Sequence, residues 1–350
     1  MRIAVLANGM TGYLDACFRA LTDRGVELLI VYPESVVNTD YDGLPIARTA
    51  RMHPWTDDPS PAELNRLIDD FDPDAILMHS WDFLPYRAVV RGRTGTVRVL
   101  WIDNNWLATA KQWLGRATHR IYLSPLFDAV LVPSDRTEFF ARRLGFGPSD
   151  CIRGSLSADT ELYGAEPVDG DELVARHRFC AVLRMVHHKG ADVLADAYRQ
   201  YRTLTDDPWD LDLVGIGPML GAFDGILGVN RHGFLQPAEV AGVLHRSSCL
   251  VNPSRLEPYA VVLHEAAAAA LPMLSTDFVA AHVTMVQDGY NGWVVQNSRP
   301  DLLAGAMARM SSLDAERLGE MSRTSRLISQ RLSPAGWARN LEEEIARRRG

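Results

Sequence analysis

Short apolar, β-branched runs alternate with longer amphipathic runs along nearly the whole chain, and this rhythm limits the fold more than any other feature. In the first half the candidate strands are Arg2–Ala7, Val26–Val31, Ala75–His79, Val97–Ile102 and Ala129–Pro133. In the second half they are Phe179–Leu183, Leu211–Gly215, Val229–Gly233, Cys249–Asn252, Met273–Ser275 and Gly292–Val295. Helical periodicity fills the intervals, for example at Tyr13–Arg24, Pro61–Phe71, Arg136–Leu144, Ala191–Leu204 and Ala238–Arg246. Strand and helix in alternation build a parallel sheet with helices on both faces. Near-continuous apolar strands mean that both faces are covered. The rhythm stops once, between Asp150 and Asp171, where turn residues crowd and no period is sustained.

The sequence therefore predicts an α/β protein of two doubly wound, Rossmann-like parallel-sheet domains. Residues 1–165 form the first, 166–328 the second, and a helix within 329–350 packs back toward the first. The 350 residues agree with two domains of roughly 150 each. Open sheets of this kind bind ligands beyond the carboxyl ends of their strands. Two of them facing each other would make a cleft with ligand sites on both walls.

Composition removes several classes. The formal charge of −8 argues against a broad nucleic-acid footprint, though not against a local basic pocket. Met1–Ala7 lacks the length and flanks of a signal peptide and reads as a buried first strand. The most apolar stretch, Ala260–Leu274, is broken by His264, Glu265 and Pro272, and falls short of the ~18–20 residues of a membrane span. Cys17, Cys151, Cys180 and Cys249 are far apart and offer neither metal spacing nor a disulfide framework, so a cytoplasmic location is expected.

The most informative segment runs from Asn252 to Ala266, Asn-Pro-Ser-Arg-Leu-Glu-Pro-Tyr-Ala-Val-Val-Leu-His-Glu-Ala. It follows an apolar strand and opens an alanine-rich helix. Pro258 suits a first helical position, which would leave the amides of Tyr259, Ala260 and Val261 unpaired at the helix start and suited to a diphosphate. Glu257 and Glu265 would then stand ~12 Å apart along the axis. That is too far to share one proton transfer, but suited to gripping two hydroxylated parts of one extended ligand. Read alone, Glu257 as a helix cap and Glu265 as a solvated side chain fit the pattern equally well. A second segment, Ala181-Val-Leu-Arg-Met-Val-His-His-Lys-Gly190, also leads from strand to helix. Arg184 and Lys189 could reach phosphate oxygens and offset charge on a departing diphosphate, or form a solvated basic loop. The adjacent His187 and His188 face apart, with no ligand-spaced carboxylate or cysteine, so no metal site is expected.

Together the two segments resemble the retaining glycosyltransferases of family 4, also called group 1, which have the GT-B fold. Glu257 and Glu265 match that family's Glu, seven residues, Glu motif, and Arg184, Lys189 and Gly190 match its Arg…Lys-Gly loop. Further stretches fall in the family's order: Leu213–Pro218 with Gly215 and Gly217, Gly233-Phe234-Leu235 followed by Glu239, and Asp288–Gly292. Val132-Pro133-Ser134 and Cys151–Tyr163 resemble the end of its first domain and the crossing to the second.

The resemblance implies a donor domain in the second half, binding a UDP- or GDP-type sugar as substrate with no separate cofactor and no metal. Glu265 would hold the ribose hydroxyls and Glu257 the transferred sugar. Arg184, Lys189 and the amides of Tyr259 and Ala260 would take the diphosphate, with Gly215, Gly217 and Val261 nearby. In the first half, Gly12 of Gly9-Met10-Thr11-Gly12 stands where the family has a glycine loop, and His79 where it often has a histidine near the sugar. Asp103 and Asn104 end the next strand and could bind acceptor hydroxyls; Trp81 and Trp106 are candidate stacking platforms, or core packing. The acceptor would be a glycan, a lipid-linked acceptor or a small molecule.

Three stretches depart from the family's pattern. Ala280-Ala281-His282-Val283-Thr284 replaces its Gly-Gly…Glu loop, Ala260 stands where glycine is common, and Ser155–Asp159 departs from Asn-Gly-Val-Asp while keeping Asp159. Between Trp106 and Tyr122 lies a basic amphipathic stretch, read as a domain helix with a solvated basic face in preference to a membrane-surface helix. The alternatives are nucleotide-sugar epimerisation or phosphorolysis on the same fold, or a noncatalytic nucleotide-sugar binding module. A dehydrogenase is disfavoured, because Gly9-x-x-Gly12 is an incomplete dinucleotide fingerprint and no acid ends the strand at Val31.

Overall fold

Strands that are apolar at every position need cover on both faces, and the chain provides it twice. The computed structural model describes residues 1–34, 45–154 and 156–350; Ser155 of the crossing segment lies outside them. They form two compact units, residues 1–157 with 334–350, and residues 158–333.

The first unit holds seven parallel strands, β1 (Arg2–Leu6), β2 (Glu27–Pro33), β3 (Arg51–Trp55), β4 (Ala75–His79), β5 (Val97–Trp101), β6 (Ala129–Val132) and β7 (Cys151–Arg153), in the order β3-β2-β1-β4-β5-β6-β7. Helices α1 (Gly12–Asp23), α2 (Pro61–Phe71), α3 (Leu84–Val90), α4 (Ala110–Tyr122) and α5 (Asp135–Leu144) link them. Ile3–Leu6, Ala75–Met78 and Ala129–Val132 are all buried. The sequence pattern missed β3 and β7, both edge strands. β3 carries exposed Arg51 and His53 and a proline, which an edge tolerates; β7 has only three residues.

The second unit holds β8 (Arg178–Val182), β9 (Asp210–Val214), β10 (Val229–Gly233), β11 (Cys249–Asn252), β12 (Met273–Thr276) and β13 (Gly292–Val295), parallel in the order β10-β9-β8-β11-β12-β13. Its helices are α6 (Gly170–Arg176), α7 (Ala191–Tyr201), α8 (Pro237–His245), α9 (Val261–Ala268), α10 (His282–Met285), α11 (Pro300–Ser311) and α12 (Ala315–Ser329).

The division falls between Ser157 and Ala158, ahead of the position read from the sequence. His264 explains this: its Nδ1 accepts the Ala158 N–H at 3.0 Å, and Nε2 meets the Ser329 carbonyl at 3.2 Å. The Ala165 N–H also bonds to the Ala268 carbonyl, so the crossing segment is tied to α9. The last helix, α13 (Pro334–Arg349), belongs to the first unit. Trp337, Leu341 and Ile345 are buried there, the Trp337 ring lies 6.1 Å from Phe18, and Arg24 pairs with Glu342 at 2.7 Å. Among the described residues, no helix is long and apolar enough to cross a membrane.

In each sheet the chain adds strands on one side and then returns to the other side of its first strand. The reversal lies between β1 and β4 in the first unit, and between β8 and β11 in the second. Loops diverge at such points and leave a crevice at the carboxyl ends of the strands.

Candidate functional site

In the second unit the loops after β8, β9 and β11 carry the residues singled out from sequence. Gly215 (φ 124°) and Gly217 (φ 151°) let the β9 loop lie against the β8 loop. A Cβ at Gly215 would stand 2.0 Å from the Leu183 carbonyl oxygen, and one at Gly217 2.5 Å from that of Met185. The Met185 N–H donates to the Ile216 carbonyl at 2.9 Å, and the Met219 N–H to that of Met185 at 2.9 Å. These glycines therefore position Arg184, which is exposed and has no ion-pair partner among the described residues.

The β8 loop is clamped in turn to the β11 loop. Gly190 (φ 72°) sits where a Cβ would come 2.1 Å from the Pro253 carbonyl oxygen, and the amides of Arg255 and Leu256 both donate to the His188 carbonyl. Arg255 makes a two-pronged ion pair with Asp192, at 2.7 Å for one prong, and donates to the His187 carbonyl at 2.9 Å. That pair raises the Arg255 guanidinium and lowers the Asp192 carboxyl relative to their ordinary values, chiefly through hydrogen bonding. The sequence reading missed Arg255 and Asp192; the only signal was an arginine two residues before Glu257.

Across the β8/β11 reversal, Lys189 and Glu257 form an ion pair with side chains 17% and 12% exposed, and the Ser254 hydroxyl lies 3.5 Å from the same carboxylate. The two residues come from different strand-end loops, so the pair forms only when both loops are seated. The flanking His188 imidazole is pushed down by burial and by the cations Lys189 and Arg184.

The helix carrying Glu265 begins later than the sequence suggested. The expected start at Pro258 is corrected to Val261, preceded by Ala260 in the left-handed conformation (φ 74°). The cause is a long-range pairing. The Glu257 N–H donates to the Phe278 carbonyl, the Ala280 N–H to that of Glu257, and the Ala281 N–H to that of Tyr259. This holds 257–259 outside the helix, so the first-turn amides are those of Val261 and Val262, with no side-chain cap among the described residues. The ~12 Å helical rise between the two glutamates does not apply, since Glu257 lies outside the helix. The Ala280-Ala281 departure lies alongside the Glu257 backbone. Glu265, inside α9, keeps some exposure; burial pushes its carboxyl up to about 7 against a hydrogen bond from Tyr163, which the sequence reading also missed.

In the first unit a cavity of about 400 Å³ opens at the β1/β4 reversal. His79, Trp81, Asp103 and Asn104 line it, together with the unforeseen Asn8, Asp82 and Lys111. His79 stacks on Trp101 with centroids 5.2 Å apart, and its buried Nδ1 has no hydrogen-bond partner among the described residues. Burial lowers the imidazole pKa, opposed by Asp103 and Asp82. Asp82 pairs with Lys111 at 2.6 Å and accepts from the Ser80 hydroxyl. Gly12 opens α1 and Trp106 packs edge-on against Trp113, at 5.3 Å, and near Phe140; neither lines this cavity.

Residues 7–153 match the family model described as Glycosyltransferase Family 4, and residues 176–312 match that described as Glycosyl transferases group 1. HepE of Anabaena, solved with UDP and glucose, is similar at a TM-score of 0.74 and 15% identity over 99% of each chain. Sucrose-phosphate synthase of Thermosynechococcus elongatus is similar at a TM-score of 0.76 and 16% identity, over 99% of this chain and 98% of that one. At such identities the likeness speaks to the fold alone. An uncharacterized glycosyltransferase of Methanocaldococcus jannaschii is 29% identical over 122 residues, so the match spans 33% of that relative and 33% of this chain.

Proposed function

Because the chain belongs to the family 4, group 1 glycosyltransferases, we propose that it moves a hexosyl group from a UDP-type sugar to an acceptor hydroxyl, with retention and without a divalent cation. The observation that carries this reading is the Lys189–Glu257 pair beside the start of α9. It sets a cation, a carboxylate and two outward amides at the crevice where an open sheet takes its ligand. The UDP and glucose held by HepE support UDP over GDP.

In this reading the diphosphate draws Lys189 from Glu257, since phosphate offers it more charged acceptors. Arg184, Lys189 and the Val261 and Val262 amides then hold the phosphates. The freed Glu257 carboxylate accepts hydrogen bonds from the sugar, and Glu265 takes the ribose hydroxyls. As the bond from the anomeric carbon to the phosphate oxygen breaks, negative charge builds on the nucleoside diphosphate, where the two cations and the helix start offset it. The acceptor oxygen bonds to the anomeric carbon on the face that the diphosphate leaves, and a leaving-group oxygen takes its proton. The cations and helix start do the work that a metal would otherwise do. The first-unit cavity falls in the ~300–1,000 Å³ range of small-ligand pockets; in this reading Asp103, Asn104 and Trp81 receive the acceptor there, beside His79.

Thermal shift with UDP, GDP and their sugars tests the donor, because a bound ligand raises stability by mass action. The expected result is a rise with UDP and UDP-sugars that EDTA leaves unchanged; no rise with any of them refutes the reading. Product NMR then reads the anomeric configuration. Lys189→Ala and Glu257→Ala are each expected to lower transfer by about 10²-fold or more with the fold intact, and near-wild-type turnover in both would show that the site is misassigned.

A further inference from the structure

Helix α4 turns its apolar side away from the domain. Ala110, Trp113, Leu114, Ala117 and Ile121 share one stripe about 100° wide. Trp113, Leu114 and Ile121 are 49%, 64% and 85% exposed, while Gln112, on the opposite side, is buried. A domain helix seated by its apolar face would show the reverse, and that is what the sequence led one to expect. The inner face is seated by small and mixed residues: the His119 ring packs edge-on against Phe146 at 4.9 Å, and a Cβ at Gly115 would come 3.3 Å from Leu144. Gln112 ties the helix start to its own lead-in, accepting the Leu107 N–H and donating to the Asn105 carbonyl, both at 2.8 Å, and the apolar stripe is left largely in solvent. Arg116 and Arg120 line one edge of the stripe. With Lys111, the helix carries three cations and no acid, in a chain whose formal charge is −8. The Arg116 guanidinium lies 5.7 Å from the Trp113 ring centroid, so apolar body and charged head stand together, as a lipid–water boundary favours.

We infer that the outer face of α4 docks on an anionic lipid bilayer. Trp113, Leu114 and Ile121 enter the boundary between headgroups and acyl chains, and Arg116 and Arg120 meet the lipid phosphates; this charge complementarity selects a bilayer over a protein partner. The first turn of α4 also supplies Lys111 and Gln112 to the cavity wall, about one helix diameter (~10 Å) from the stripe. On the acceptor reading of that cavity, on which this clause rests, the acceptor is one carried on lipid.

The test is flotation of the full chain with vesicles of phosphatidylcholine alone, and of equal parts phosphatidylcholine and phosphatidylglycerol. The chain is expected to float with the anionic vesicles only, less so as salt rises. Each cation near such a surface is worth about fivefold in partitioning, so Arg116→Gln with Arg120→Gln is expected to weaken it about 30-fold. Leu114→Asn with Ile121→Asn is expected to abolish it, while the UDP thermal shift stays as in the wild type. Flotation needs no donor, so a wild-type chain that floats but ignores UDP supports the bilayer and refutes the donor reading. The inference is overturned by absent flotation, by flotation unchanged in Leu114→Asn with Ile121→Asn, or by a dimer that those substitutions disperse.

Discussion

His264 and Glu265 are neighbours on α9 whose ionisations pull stability in opposite directions as pH changes, and replacing either one exposes the other. Burial lowers the His264 imidazole from its ordinary 6.5 to about 4. Between those values the unfolded ring binds a proton and the folded ring does not, so stability falls as pH falls. A gap of about 2.5 units at 1.36 kcal/mol each is worth about 3 kcal/mol. Glu265 has the opposite sign. Its folded carboxyl keeps its proton up to about 7 and the unfolded one releases it near 4.5, so stability falls as pH rises through this window. The size is at most about 3 kcal/mol and is reduced by the solvent the side chain still meets. Urea unfolding of wild type, His264→Gln and Glu265→Gln from about pH 7 to about pH 4 measures both. The deficit of His264→Gln is expected to shrink by about 3 kcal/mol on acidification. The advantage of Glu265→Gln at neutral pH is expected to vanish over the same range. A pH-independent difference for His264→Gln, or a His264 ring resonance titrating near 6.5, would refute the argument.

The donor site yields further expectations. If the ribose hydroxyls bind ionised Glu265, UDP binding near pH 7 releases part of a proton, and its heat varies with the ionisation enthalpy of the buffer; Glu265→Gln is expected to remove that dependence. Lys189→Ala is expected to lower kcat by about 10²–10³, the scale of losing one preorganised charge stabiliser, and Lys189→Ala with Glu257→Gln to lose little more than the worse single variant, by steady-state kinetics. Gly190→Ala places a methyl group 2.1 Å from the Pro253 carbonyl oxygen at φ 72°, so a loss of more than ~2 kcal/mol is expected in thermal unfolding, together with a weaker UDP shift.

The features legible in the sequence were those set by local pattern. β1, β4 and β11 announced themselves because they are apolar at nearly every position; Gly190, Gly215 and Gly217 were picked out by the family resemblance, and the close backbone approaches show why glycine is needed there. What stayed hidden depends on distant partners. The late start of α9 follows from pairing with Phe278–Ala281, the Arg255–Asp192 clamp joins residues 63 positions apart, and Glu265 meets Tyr163 from the crossing segment. Periodicity showed that α4 has two faces but not which one turns inward; the packing of His119 on Phe146 and the close approach of Gly115 to Leu144 decide that.

The return of α13 to the first unit has a consequence for the order of events during synthesis. The second unit is one unbroken stretch, 158–333, and can close as soon as it has left the ribosome. The first unit is written at both ends of the chain. Until residues 334–349 appear, Phe18 lacks the cover of Trp337, and the groove that Leu341 and Ile345 will fill stands open to water. The unit that is begun first is therefore completed last.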